Sequence, residues 1–576
     1  FVKASLYVNA LSSASHRIKL VIDAGTYVVG KQLDSTDTWT VTDTISATSI
    51  TFTNPNRVKK GINIFHITGA QNVTITGVNK PKIVMKSGLY FGGFDKNLTP
   101  KFISSLSPPS GYHSADVGNI IQLQNCNCTE VSNLELDGSE DELAQLGGVY
   151  GGHSGDGYQL AYDGVFIGNS KNVSIDNVYA HNFGRDGIDI GALPYYSHSP
   201  QDVFLRDVIS ENNGRQGISW TAGDTLRALD CSFSYTGRCG NVTNSNPKAG
   251  IDIEPEGGRC NHGYFKNCMS VDNAGLSLIS DYTYEGWKVA QMEFDNCLFW
   301  GTTAKTLWPK QMRKTSFKNC SIYGTMVHVS GSEQNDVMLF ENCFVSDMGP
   351  DGQNTSTPDV DGWVLFNMGT NPVLGVDTLP SCGSGDSTVK HGKIHYLLDL
   401  DTIQGVISVA DSVICDDTGP EYYDWDRHSN SWFKFKGCEF ELHNKVFSVM
   451  LPMRSDFATY GGTINHQELR TFECNLFNFH SEDLQAVSGY GYAKRGGEFY
   501  NCGFYSNVFN DISPVEPGPG NANIAYTTCS NGCPRYAFTI DVDVSKQNHT
   551  DGKNYFTPVT NPTNSYAPHS SIYRWT

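Results

Sequence analysis

Phe294-Asp295-Asn296-Cys297, Phe317-Lys318-Asn319-Cys320 and Phe340-Glu341-Asn342-Cys343 are one phrase written three times, at a step of 23 residues. Working outward, Phe265-Lys266-Asn267-Cys268 precedes them by 29 residues, and Phe435-Lys436-Gly437-Cys438 and Phe499-Tyr500-Asn501-Cys502 follow. Upstream the Cys slot is filled by another small apolar residue, as in Asn177-Val178 and Asp207-Val208, with Asp230-Cys231 next. A recurring period of this size marks a chain built of stacked units, each unable to bury its apolar face alone. Short runs such as Val173-Ser174-Ile175-Asp176 and Val203-Phe204-Leu205-Arg206 alternate with period two, the mark of a strand. The Asn belongs in the bend between two strands, because it tolerates the left-handed backbone region. Phe and Cys then point inward and stack on their counterparts in the coils above and below.

The expected fold is all-β: a single-stranded right-handed parallel β-helix with loop excursions. The boundaries expected are an N-terminal cap at 1–19 around Leu6 to Leu11, the β-helix at 20–514, and a C-terminal tail or cap at 515–576. Ala24-Gly25-Thr26-Tyr27 and Asn72-Val73-Thr74-Ile75-Thr76-Gly77 read as early coils. The step from 231 to 268 implies a loop leaving the coil, and 346–434 is the least regular stretch.

Charge narrows the function. With 41 Lys and Arg against 60 Asp and Glu, the chain carries −19 and lacks the basic excess a broad nucleic-acid surface needs. No apolar run long enough for a transmembrane helix occurs, so membrane insertion is not expected. The chain opens on Phe1 without a signal-like leader and is read as a processed form or a fragment. Of 16 Cys, seven (231, 268, 297, 320, 343, 438 and 502) occupy the repeated inward slot and are expected to be buried, unpaired small apolar residues. Cys529 could pair with Cys533, and Cys239 with Cys260. No Cys-x-x-Cys pair suggests zinc.

A second phrase repeats on consecutive coils: Gly184-Arg185-Asp186-Gly187-Ile188-Asp189-Ile190, Gly214-Arg215-Gln216-Gly217-Ile218-Ser219-Trp220, Lys248-Ala249-Gly250-Ile251-Asp252-Ile253-Glu254-Pro255-Glu256 and Asn273-Ala274-Gly275-Leu276-Ser277-Leu278. Aligned on Gly187, Gly217, Gly250 and Gly275, the phrases put Ile188, Ile218, Ile251 and Leu276 inward and Asp189, Ser219, Asp252 and Ser277 outward. Arg185, Arg215, Lys248 and Asn273 form a neighbouring column. Asp189 and Asp252 then stand two rungs, about 9.6 Å, apart, and Asp252 and Glu254 about 6.6 Å apart. Inverting glycosidases space their carboxyl pair roughly 6.5–9.5 Å apart. Crowded carboxylates raise one another's pKa, which supplies the protonated acid that such cleavage needs. Asp189, Asp252 and Glu254 are therefore the candidate catalytic residues. Arg185, Arg215 and Lys248, with Tyr195, Tyr196, Tyr282, Tyr284 and Trp287, are the candidate sugar-binding residues. His181 and Tyr284 are further candidate proton carriers. The plain alternative is that Asp189 pairs with Arg185 or Arg215 in a structural ion pair. Glu256, after Pro255, reads as a loop residue, and Trp220 as core. Asp137-Gly138-Ser139-Glu140-Asp141-Glu142 lacks the full spacing of a Ca²⁺ loop and reads as solvated.

The Asn-Cys/Val ladder, Ala24-Gly25-Thr26-Tyr27 and Gly250-Ile251-Asp252-Ile253-Glu254-Pro255 together resemble the pectate-lyase-like right-handed β-helix superfamily over roughly residues 20–505. That resemblance implies a polysaccharide partner along the strand face, action outside the cell or on a virion surface, and, in tailspike-like members, a homotrimer. Three functions follow as expectations. The first is a glycoside hydrolase with Glu254 as acid, Asp252 or Asp189 as base, and no cofactor. The second is a polysaccharide lyase with Arg215 or Lys248 as base and Ca²⁺ on the acids. The third is a non-catalytic fibre or glycan-binding adhesin, assembling as a filament.

Overall fold

The structure, a computed structural model, describes residues 1–54, 57–101, 103, 111–146, 160–192, 202–238, 245, 247–256, 258–280, 289–301, 306–309, 312–313, 315–324, 326–327 and 338–346, with short strand segments between 366 and 574. The chain winds as a parallel β-helix, in two units: Phe1–Val289 and one beginning at Ala290.

In the first unit each coil contributes to three columns of parallel strands. One column runs through Ile18–Ile22, Gln71–Gly77, the first halves of Asn127–Asp137 and Lys171–His181, then Val203–Arg206, Gly223–Leu229 and Cys260–Lys266. A second takes Thr26–Val29, Lys82–Met85, the second halves of the two long strands, then Ile209–Glu211, Ser232–Ser234 and Met269–Asn273. The third takes Phe65–Thr68, Ile121–Gln124, Val165–Gly168, Asp186–Gly191, Gln216–Trp220, Ala249–Ile253 and Leu278–Ser280. The site lies on this third column.

The corner between the first two columns is the Asn position. Asn133, Asn177, Asp207, Asp230 and Asn267 all sit in the left-handed region, with φ between 51° and 58°. Asn177 Nδ2 donates to Asn133 Oδ1 at 2.9 Å, and Asn267 Nδ2 donates to Asp230 Oδ1 at 2.9 Å, so the bends are tied coil to coil. In the second unit Phe294, Phe317 and Phe340 stack face to face, with centroids 4.8 and 4.6 Å apart and planes within 11° and 3°. Each is fully buried, which stabilises the coil by about 1.5–3 kcal/mol.

Six of the seven slot cysteines (231, 268, 297, 320, 343, 438) are buried, and Cys502 lies outside the described residues. Their sulfurs donate to backbone carbonyls: Cys320 to Phe294 O and Cys343 to Phe317 O, both at 3.3 Å. Cys126 belongs to the buried set as well. Cys260 is also a free buried thiol, donating to Trp220 O at 3.3 Å, so it does not form the bridge expected with Cys239. Cys239, Cys529 and Cys533 lie outside the described residues.

The helix Val2–Leu11 closes the open edge of the third column with side chains. Ser5 Oγ accepts the His66 N–H at 3.1 Å, Asn9 Oδ1 accepts the Thr68 N–H at 2.9 Å, and Asn9 Nδ2 donates to His66 O at 3.0 Å. Strand edges left with unpaired backbone groups invite association, and capping of this kind removes the invitation.

Candidate active site

Two buried latches aim the site strands. Asn213, fully buried, accepts the Phe183 N–H at 3.1 Å and donates to Ser210 Oγ at 3.1 Å, while Ser210 Oγ donates to Gly217 O at 2.6 Å. Asn273 and Ser270 repeat this two coils on, with Ser270 Oγ donating to Ser277 O at 2.7 Å. Two glycines of the repeated phrase leave the room these latches need. A Cβ on Gly187 would stand 1.9 Å from Ser210 Oγ, and one on Gly250 would stand 2.0 Å from Ser270 Oγ.

The register places Gln122, Phe166, Asp189, Ser219 and Asp252 in one row across five neighbouring strands. The first three phrases therefore align as the sequence implies. The fourth does not. Ile251 pairs with Leu278 and Asp252 with Ile279, so Leu276 and Ser277 stand two residues before the positions expected of them. Gly250 and Ile251 accordingly donate to Leu276 O and Ser277 O, the ladder bonds of this shifted register.

A cleft of ≈ 260 Å³ opens along this row, lined by Asn119, Gln122, Ala161, Phe166, Arg185, Asp186, Asp189, Gly191, Ala192, Arg215, Ser219, Thr221 and Glu256. That is just below the usual range of ligand sites, about 300–1,000 Å³. Of the three nominated carboxylates only Asp189 lines it. Asp252, expected to face outward, is 0% exposed, and neither of its oxygens makes a hydrogen bond among the described residues. Burial, then the Glu254 carboxylate, holds the Asp252 carboxyl well above the usual carboxylate range. Glu254 is turned to Arg215, whose Nη2 donates to Glu254 Oε2 at 3.2 Å. Lys248 is buried with φ 56° beside Gly237 and does not line the cleft. Trp220 is core, as expected, its Nε1 donating to Ala222 O at 3.0 Å. Tyr195, Tyr196, Tyr282, Tyr284 and Trp287 lie outside the described residues.

Asp163 is the residue the sequence reading passed over. It is 0% exposed and holds Arg185 in a two-pronged grip, Nε to Oδ1 at 2.7 Å and Nη2 to Oδ2 at 2.5 Å. The same Nη2 donates to Asp189 Oδ2 at 2.6 Å. The signal was available, because Asp163-Gly164-Val165 precedes Asp186-Gly187-Ile188 by 23 residues in the same phrase. Asp186, also not nominated, lies 3.5 Å from Arg215 Nη1 through Oδ2, while its Oδ1 makes no hydrogen bond among the described residues. Burial pushes Asp186 well up despite both arginines.

Two carboxyl groups on the cleft wall are raised above the usual carboxylate range. Burial raises Asp189 to about 6, against the opposing pull of Arg185. Glu256 is exposed over much of its surface, yet loss of solvation at its carboxyl and then the Glu254 carboxylate push it up to about 7.

Ligand atoms of Asp163, Asp186 and Asp189 lie within 4.8 Å of one another, a spacing a cation could use, but Arg185 is already the cation among them. Glu135, Asp137 and His181 form a second such group on the long strands, filled by Lys82 Nζ at 3.0 Å from Glu135 and 2.6 Å from Asp137. His181 thus belongs to the second column, paired with Glu135 at 3.2 Å, and is not among the residues lining the cleft. The segment 137–142 is solvated only at its end: Asp141 and Glu142 are exposed, whereas Asp137, Ser139 and Glu140 are buried, and Asp137 Oδ1 accepts the Ser139 N–H at 2.9 Å.

No protein-family model and no curated protein matches the chain. Among solved structures it is similar to the A-module of a mannuronan C-5 epimerase of Azotobacter vinelandii, at 10% identity and TM-score 0.42, covering 82% of this chain and 90% of that one. It is similar to a pectate lyase, at 12% and 0.28, covering 63% and 86%. It is also similar to a tailspike of an Acinetobacter phage, at 8% and 0.27, covering 99% and 63%. No helix among the described residues is long and apolar enough to cross a membrane.

Proposed function

We propose that this chain is a polysaccharide-acting enzyme, a glycoside hydrolase working outside the cell or on a virion surface, with Asp189 and Glu256 as its acid–base pair. The observation that carries the reading is two carboxyl groups on one cleft wall, raised to about 6 and about 7. Between those values Asp189 is mostly ionised and Glu256 mostly protonated, the division of labour that glycosidic cleavage requires. Glu256 gives its proton to the glycosidic oxygen as the bond to the anomeric carbon breaks. Asp189 takes a proton from the water whose oxygen bonds to that carbon. Arg185, gripped by Asp163, fixes the Asp189 carboxylate. Glu256 takes the role the sequence reading gave Glu254, because Glu254 is engaged by Arg215 and Asp252 is sealed. Phe166 and the amides of Asn119 and Gln122 offer the apolar face and hydrogen bonds a sugar ring uses.

The test is product analysis by mass on a polysaccharide panel with wild type and Glu256→Gln. New reducing ends from wild type, and a loss of about 10²-fold or more in the variant with binding retained, support the reading. An unsaturated product from wild type, or undiminished turnover in Glu256→Gln, overturns it.

A further inference from the structure

We infer that the cleft selects an uncharged saccharide and rejects a uronate, because both of its guanidinium groups already hold carboxylates of the protein. This rests on the reading of the cleft as a saccharide site and adds the class of saccharide it takes. A sugar carboxylate is recognised best by an arginine fork, two parallel N–H donors meeting two oxygens. The Nε/Nη2 fork of Arg185 is closed on Asp163, and Nη2 is shared with Asp189. On Arg215, Nη2 donates to Glu254, and Nη1 donates to Gln216 Oε1 with Asp186 Oδ2 at 3.5 Å. Its remaining Nε is buried and makes no hydrogen bond among the described residues, out of reach of a ligand entering from solvent.

The rest of the wall repels an anion. Asp186, Asp189 and Glu256 line the cleft against two arginines, and Asp163 and Glu254 stand directly behind those arginines. A uronate carboxylate would stand beside the Asp189 carboxylate with both arginines already engaged, and such like-charge juxtaposition works against binding. A neutral sugar brings hydroxyl groups, which both donate to carboxylates and accept from amides. Gln122 and Thr221, both half-buried, present polar groups of that kind along the same wall.

The experiment measures binding of the whole chain by affinity electrophoresis at pH 6.5, with and without chelator. The probes are neutral polysaccharides (β-glucan, galactomannan, xylan) and uronates (polygalacturonate, alginate). Wild type is expected to be retarded by at least one neutral glycan and to bind both uronates at least about ten-fold more weakly, the worth of one charge-assisted fork. Asp163→Ala, which opens the Arg185 fork, is expected to gain at least about ten-fold for polygalacturonate. Thermal unfolding of the variant establishes that it folds, and the wild-type panel decides the matter if it does not. Uronate binding by wild type equal to or tighter than neutral binding overturns the selectivity and leaves the saccharide site standing. Retardation by no glycan of either kind overturns the saccharide site itself.

Discussion

Replacing Asp189 by Asn should change how the first unit responds to pH. The Asp189 carboxyl is buried, with its side chain 10% exposed, and its acidity moves from 3.8 to about 6. A carboxyl whose folded pKa is raised keeps its proton in the folded state after the unfolded chain has released it. Stability is therefore full below about pH 4, falls as pH rises from about 4 to 6, and levels off above. At about 1.4 kcal/mol per unit the fall attributable to this group is ~3 kcal/mol. Asn cannot titrate, so the fall is absent from the variant, whatever constant penalty it suffers from losing the 2.6 Å contact to Arg185. Hydrogen exchange of the amides in Asp186–Gly191, taken as a ratio of wild type to variant at each pH from 4 to 7.5, isolates the effect from intrinsic exchange. The ratio should grow on the order of 10²-fold across that range. A ratio flat with pH would refute the claim that burial dominates over Arg185 at this carboxyl.

Other outcomes follow from the same geometry. Hydrolysis by wild type should trace a narrow bell against pH, with limbs near 6 and 7 set by Asp189 and Glu256, and Asp189→Asn should remove the acidic limb together with most of the rate. Asp252→Asn should raise the thermal midpoint at pH 8 but not at pH 4, because it removes a buried carboxyl that is costly only when ionised; calorimetry at the two pH values checks this. Gly187→Ala should cost about 1–3 kcal/mol by forcing a Cβ onto Ser210 Oγ, with partial rescue by Ser210→Gly in the same chain, read by thermal unfolding. Phe317→Ala should cost roughly 3–5 kcal/mol, because it empties the middle of a three-ring stack, and proteolysis of the second unit is the readout.

The fold was legible because its signal is redundant. Each coil must repeat the same inward residues to stack, so Phe294, Phe317 and Phe340 announce themselves, and Asn in the bend follows from one backbone conformation. The wall of the site was legible for three coils for the same reason: Gly187, Gly217 and Gly250 mark register. It failed at Gly275, whose role at the turn is not that of the other three; Gly275 N donates to Lys248 O instead of opening a strand. Alternation gives the side a residue faces but not what covers it. Asp252 faces the expected way and is nevertheless sealed, and Glu256, past the end of the strand, reaches the cleft. Asp163 opens the phrase one coil earlier, where Tyr162 stands in place of the basic residue that marks the later coils.

The Asn9 side chain bears on the architecture as a whole. Its amide offers one donor and one acceptor to His66 and Thr68, the pair of contacts a further strand's peptide group would make. The terminus of the ladder is thus an imitation of a rung, carried on a helix that shares no pattern with the coils. Because the stop is independent of what it stops, the number of rungs is free to drift by whole units. Gain or loss of a 23-residue module inside the spiral leaves the lid's fit untouched, and a groove along the side can lengthen to match a longer polymer without the end having to be reinvented.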